Sequence, residues 1–134
     1  MKNITPSCQV YGSSVVSLNY KRPFLDTMIH ITSAEDVEKT LRSFINLQEL
    51  DVRECFWVLL LSRANRLLGI SEVATGSCSS VESNTKYIFQ LALLSNASAI
   101  IVAHNHPSGN LTISHSDTET TKNIKRLGNI LNVT

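Results

Sequence analysis

Three runs of mostly apolar residues give the order of the strands. The strongest, Glu54–Leu61, is aromatic and aliphatic almost throughout, which is typical of a central buried strand. A polar turn at 63–66 separates it from a second predicted strand at Leu67–Thr75, and the pair predicts an antiparallel hairpin. A third apolar run, Ala97–Ala103, predicts another buried strand.

Apolar residues at helical spacing predict three helices around these strands. The first covers about 33–46 and begins at a capping-box sequence, the second covers about 84–95, and the third begins near Ser116. The glycine at 128 is expected to weaken the third helix slightly. The side chains expected to face the core are Val37, Leu41, Phe44 and Ile45 in the first helix, Ile88, Leu91, Ala92 and Leu94 in the second, and Ile124, Leu127 and Leu131 in the third.

This order of elements predicts one domain of the α/β or α+β class, a mixed β-sheet flanked by helices. Residues 1–30 read as an arm with one edge strand at Val15–Tyr20, and residues 31–134 as the domain itself. The last residues, Asn132–Thr134, resemble the beginning of another strand. We therefore expect the domain to lack its closing strand.

Composition narrows the class of protein. A chain of 134 residues can form one ordinary domain. Its 12 Lys and Arg against 11 Asp and Glu give a net charge of +1, which provides no electrostatic signature for nucleic acid. Neither a membrane-spanning stretch nor a secretory signal is predicted, and three scattered cysteines fit free thiols. These features predict a cytoplasmic protein.

The candidate chemistry lies just after the third apolar run. His104 and His106 are two residues apart at a strand end, so both imidazoles can project to one side, and Asp117 follows at the start of the third helix. Two imidazoles and a carboxylate suit zinc with an open fourth position for water, although iron accepts the same set. The alternative is that the histidines are ordinary polar residues and that Ser114 and Asp117 cap the helix.

Metal-assisted hydrolysis would also need a carboxylate that takes a proton from water. Glu54 begins the strongest strand, and a strand beside the histidines would place it well, although the residue taken alone is more simply explained as a solvated carboxylate at a strand start. Glu72, Glu82 and Glu119 are the alternatives.

The combined pattern Glu54, His104-x-His106-Pro107 and Ser114-x-x-Asp117 resembles the JAMM (MPN+) motif of zinc-dependent isopeptidases. The segments 54–61 and 104–110 are similar to those of RadC-like JAB/MPN domain proteins, and the resemblance extends over about 16–134. It implies that His104, His106 and Asp117 bind zinc and that Glu54 deprotonates the water and later protonates the leaving amine. It also implies that Ser114 hydrogen-bonds the oxyanion.

The expected function is therefore that of a zinc metallopeptidase-like hydrolase, in which metal-activated water attacks an amide or isopeptide carbonyl of a peptide or protein substrate. One alternative is a non-catalytic RadC-like accessory module linked to DNA repair or mobile elements; the third possibility is an inactive fragment. Nucleic-acid binding is expected to be weak at most. The basic residues that could support it are Arg63, Arg66, Lys122, Lys125 and Arg126.

Overall fold

The structure, a computed structural model, describes residues 16–76 and 79–134, but not the side chains of 79–83. The chain forms three helices and three strands, with short 3₁₀ turns at Leu25–Thr27 and Leu47–Glu49. In chain order the elements are α1 (Ala34–Phe44), β1 (Cys55–Leu61), β2 (Leu67–Thr75), α2 (Ser79–Leu94), β3 (Ala99–His104) and α3 (His115–Leu131). The three strands and three helices agree with the sequence predictions, although α2 begins several residues earlier than expected.

The strands form a sheet of order β2-β1-β3, and β1 is antiparallel to both neighbours. The hairpin of β1 and β2 is therefore confirmed. The outer edge of β3 is paired at one end by Thr134, whose carbonyl accepts from the Ile100 N–H at 2.8 Å and whose N–H donates to the Ser98 carbonyl at 3.0 Å. Two bonds to residues on either side of Ala99 are the pattern of a parallel neighbour.

Strand β1 is buried on both faces, as its apolar run predicts. Successive side chains point to opposite faces of a sheet, so Phe56, Val58 and Leu60 join one core cluster with α2 and α3. The alternate residues, including Trp57 and Leu59, pack with α1 on the other face. The result is an α/β domain with helices on both sides of the sheet.

The edge strand predicted at Val15–Tyr20 is wrong for the part that the structure describes, and Val15 lies outside it. Residues 16–20 form no strand, and Val16 is 90% exposed, so an alternating pattern without a partner gains nothing from pairing. The arm pairs farther along the chain, where an antiparallel bridge joins His30 to Arg66. The Tyr20 hydroxyl also donates to the Leu68 carbonyl at 2.7 Å.

Most predicted core positions on the helices are buried or partly buried, with two exceptions. Phe44 is exposed because the first helix ends there, before the chain turns toward the sheet, and Leu131 is largely exposed in the last turn of α3. Gly128 is itself buried in α3, so it is a packing residue as well as a weak helix former. None of the helices in the described residues is long and apolar enough to cross a membrane.

Candidate metal centre

The two histidines leave the end of β3 on the same side of the sheet. His104 is the register partner of Phe56 on β1, and the two rings stack with centroids 6.0 Å apart. The Nε2 atoms of His104 and His106 lie 2.8 Å from each other. Because alternate residues of an extended chain share a face, the two imidazoles converge there.

Helix α3 brings Asp117 to the same place. Its Oδ1 lies 3.4 Å from His104 Nε2 and its Oδ2 lies 3.9 Å from His106 Nε2. A capping box fixes the carboxylate, because Oδ2 accepts from the Ser114 N–H at 2.9 Å while Ser114 Oγ accepts from the Asp117 N–H at 3.1 Å. The helix-capping interpretation is thus correct, and it coexists with the convergence of Asp117 on the histidines.

Glu54 immediately precedes β1 and reaches this cluster from the neighbouring strand. A carboxylate oxygen of Glu54 and one ring nitrogen from each of His104 and His106 all lie within 4.8 Å of one another, so these three residues could hold a metal ion. Of the other glutamates that we considered, Glu72 accepts a hydrogen bond from Thr75, and Glu119 bonds to Lys122. The side chain of Glu82 lies outside the described residues.

The donor spacing can be compared with what zinc requires. Two donors at a tetrahedral zinc with bonds of about 2.0–2.1 Å are separated by roughly 3.4 Å. His104 Nε2 lies 3.4 Å from Asp117 Oδ1 and 2.8 Å from His106 Nε2, whereas the 3.9 Å distance from His106 Nε2 is to the other carboxylate oxygen, Oδ2. Imidazole nitrogens and carboxylate oxygens are also suitable ligand types, so the cluster fits a divalent ion.

The ring of His106 is held in the orientation that metal binding needs. Its Nδ1 hydrogen-bonds the carbonyl oxygen of Asn110, and because a carbonyl can only accept, Nδ1 carries the proton. A neutral imidazole protonated at Nδ1 has its lone pair on Nε2, the atom that faces His104 and Asp117. A backbone carbonyl behind a ligating histidine is the usual way of fixing this tautomer.

Asn105 links the histidine segment to the chain before β1, and the sequence analysis missed it. Its amide nitrogen donates to the carbonyls of Leu50 at 2.7 Å and Arg53 at 2.9 Å, and its Oδ1 accepts from the Cys55 N–H at 2.7 Å. These bonds bind the backbone on both sides of Glu54, so Asn105 holds that residue opposite the histidines. The partners are about fifty residues away along the chain, so no local pattern reveals them.

The buried thiol of Cys55 lies next to Glu54 in sequence but points into the α1 side of the core. Burial raises the pKa of the Cys55 thiol, and the charge of Glu72 acts in the same direction. Because the thiolate is the reactive and metal-binding form, this environment favours a neutral core thiol. Cys55 is a free thiol, as the sequence analysis predicted.

The comparisons with known proteins agree with this architecture. Residues 31–134 match the model of the RadC-like JAB domain. The chain is 36% identical over 103 residues to a UPF0758 protein of Flavobacterium johnsoniae and 38% identical over 105 residues to one of Clostridium beijerinckii. These alignments cover 77% and 78% of the chain but 44% of each relative.

A third relative extends the alignment toward both ends of the chain. The UPF0758 protein of Histophilus somni is 33% identical over 130 residues, which are 97% of this chain and 57% of that protein. The chain thus spans about half the length of the curated relatives that it matches. On the strength of the domain match and these relatives, the chain belongs to the RadC-like JAB domain family.

Proposed function

We propose that this domain is a zinc-dependent hydrolase that cleaves an amide bond in a peptide or protein. The observation that supports it most is the convergence of two imidazoles, the Asp117 carboxylate and the Glu54 carboxylate at one end of the sheet. His104, His106 and Asp117 would hold the ion. A zinc ion there would lower the pKa of a water molecule to near 7 and polarise the substrate carbonyl.

Glu54 is the proton carrier in this proposal. It immediately precedes β1 and lies within 4.8 Å of ring nitrogens of both histidines, so its carboxylate can reach a water molecule beside them. Its carboxylate takes a proton from the attacking water as the oxygen bonds to the carbonyl carbon. The same proton then passes to the amide nitrogen as the C–N bond breaks, which releases an acid and an amine.

Ser114 supplies a donor for the carbonyl oxygen as it becomes negative. Its Oγ already accepts the Asp117 N–H, but a hydroxyl has a proton of its own that remains available. A donor fixed at a helix N-cap needs little reorganisation during the reaction, which is the condition for effective oxyanion stabilisation.

Metal content tests the centre directly. Elemental analysis of the purified chain should find about one equivalent of zinc, and His104→Ala/His106→Ala should lose it. His30→Ala is the matched control, because His30 is an exposed histidine that contacts Arg66 through its backbone. If the wild type neither contains zinc nor takes it up, the proposal is wrong.

Hydrolysis is tested next with a peptide library and mass spectrometry. Glu54→Gln should retain zinc and lose cleavage by at least a hundredfold, since general acid-base catalysis contributes about 10²–10⁴-fold. Glu72→Gln removes an exposed carboxylate on β2 and should cleave like the wild type. Equal cleavage by both variants would remove Glu54 from the mechanism.

The second candidate function, nucleic-acid binding, receives no comparable support from the described residues. Lys122 forms an ion pair with Glu119 at 2.8 Å, and Arg126 donates to the Asn123 side chain at 3.1 Å. The ion pair partly compensates the charge of Lys122, which weakens its attraction for phosphate.

A further inference from the structure

The donor cluster lies in a cleft of about 390 Å³. The histidine segment and Asp117 line it together with three apolar side chains, Leu50, Leu111 and Ile113, which we call the apolar wall. Leu111 is 90% exposed and Ile113 is 76% exposed. A cleft with an apolar wall beside a few convergent polar groups is typical of a substrate site.

The two exposed side chains belong to a segment that is attached to the donor cluster at both ends. At its start, the Asn110 carbonyl bonds His106 Nδ1, and the Asn110 side chain accepts from the Thr112 N–H at 3.0 Å. At its end, Ser114 forms the capping box with Asp117. The apolar wall is therefore tied directly to two of the residues that face the candidate ion.

From this arrangement we propose that Leu111 and Ile113, with Leu50, form a subsite for an apolar side chain of the substrate. The side chain would belong to the residue that contributes the scissile carbonyl, because that residue lies nearest the ion. This inference rests on the proposed hydrolase function. Asp51 is the one acidic residue of the lining that is not a proposed ligand, and an apolar side chain placed in the cleft would cover the exposed wall.

The test uses two small probes that differ only in that side chain. N-acetyl-leucine hydroxamate and N-acetyl-glycine hydroxamate share a zinc-binding group, and their affinities for the zinc-loaded chain are measured by calorimetry. The leucine compound should bind about tenfold more tightly or better, since burying an apolar side chain of this size is worth that much.

A double variant tests whether the apolar wall causes the preference for the leucine hydroxamate. Leu111→Ser/Ile113→Ser should bind both hydroxamates with nearly equal affinity and retain its zinc, because the substituted side chains supply none of the donors. Ile130→Ser is the control, since Ile130 is 66% exposed and lies about 20 Å along α3 from Asp117. It should keep the wild-type preference for leucine.

The outcomes separate this inference from the proposed function. Equal binding of the two hydroxamates by the wild type overturns the subsite and leaves the zinc centre intact. A preference that persists in Leu111→Ser/Ile113→Ser also overturns it. If the chain cannot be loaded with zinc, the proposed function is wrong and the subsite is wrong with it, and if the loaded chain binds neither hydroxamate, the subsite alone is wrong. If the variant sediments as a smaller species with unchanged probe affinities, the wall is a self-association surface instead.

Discussion

Asn105 is the side chain whose loss should most directly loosen the relation between Glu54 and the histidines. Asn105→Ala removes three hydrogen bonds to the backbone before and within β1, and we expect it to lower the free energy of unfolding by about 1–3 kcal/mol. Urea denaturation measures the loss. Hydrogen exchange of the Cys55 amide should also accelerate, because Asn105 Oδ1 is its acceptor.

A second substitution at the same position separates the two kinds of bond. Asn105→Asp keeps the oxygen that accepts from the Cys55 N–H, but it replaces the NH₂ group that donates to the carbonyls of Leu50 and Arg53 with a second oxygen. The variant should therefore be less stable, while the Cys55 amide stays protected from exchange. Asn129→Ala, an exposed asparagine on α3, is the control. Unchanged exchange at Cys55 in Asn105→Ala would contradict the assigned role.

At this scale the sequence predicted residues that the structure brings together, but not how they are held. His104, His106 and Asp117 could be named because their spacing relative to a strand end and a helix start is local information. The structure brings them together, and their roles as ligands stay predictions. The bonds of Asn105 depend on a loop about fifty residues away, and only the packed sheet brings that loop close.

The N-terminus of α1 provides a pH-dependent contribution to stability. Asp36 Oδ2 accepts from Thr32 and Ser33, and these bonds, led by the Thr32 hydroxyl, lower the pKa of the Asp36 carboxyl. A lowered folded-state pKa adds stability above the unfolded value of about 3.9, which is lost as the pH falls through the folded value. Asp36→Asn should therefore be destabilised relative to the wild type at pH 7, and this difference should be smaller at pH 2.5.

Urea denaturation at the two pH values measures this difference. Glu35→Gln removes another carboxylate from the same first turn and should show a smaller dependence on pH, since it tests only the interaction with the helix dipole. A gap between Asp36→Asn and wild type that is as large at pH 2.5 as at pH 7 would contradict the explanation.

The C-terminal turn of α3 requires glycine at position 128. A Cβ atom at this position would overlap the backbone carbonyl oxygen of Val133. The backbone N–H of Val133 also donates to the Gly128 carbonyl at 2.9 Å. Although alanine is the better helix former by about 1 kcal/mol, Gly128→Ala should lose about 1–3 kcal/mol through overpacking.

Chemical denaturation of Gly128→Ala beside Gly69→Ala tests this directly. A Cβ at Gly69 would meet the Leu60 side chain at 3.8 Å, an ordinary contact, so that variant should stay close to wild type. A stabilised Gly128→Ala would show that the turn can shift to accept a side chain.

Elements were predictable where the sequence pattern alone determines burial. The continuous apolar run of β1 indicates a strand that is covered on both faces, and the bounds of this strand were predicted to within one residue. The arm was not, because Val16 and Leu18 alternate like a strand but stay exposed. Alternation predicts which side of a strand is apolar, and it contains no information on whether a partner is present.

For the whole molecule, an ion at the candidate centre would stabilise the fold by joining β3 to α3. A ligand that binds the folded chain at a hundred times its Kd adds about 2.7 kcal/mol, which for a domain of this size raises Tm by about 10 °C. Differential scanning calorimetry with and without added zinc should show this shift in the wild type and not in His104→Ala/His106→Ala. Equal shifts in both would indicate binding elsewhere.

The layered arrangement of the molecule was predicted in class but not in detail. A sheet flanked by helices follows from the alternation of elements, whereas the sides to which the helices pack follow from the side chains of β1. Trp57 and Leu59 belong to the α1 layer, while Phe56 and Val58 belong to the α2 and α3 layer. The local sequence cannot distinguish these two faces, because both are apolar.

Side chains alternate in direction at the end of β3, so the positions of the candidate ligands depend on the register of this strand. His104 and His106 face α3, whereas Asn105, between them, faces the loop before β1. Removing one residue from β3 would exchange these directions: the asparagine would point to Asp117, and the imidazoles to Leu50. A substitution in this segment therefore disturbs the contacts of one side chain, whereas a single-residue insertion or deletion redirects all three at once, so the length of the segment is constrained as strictly as its composition.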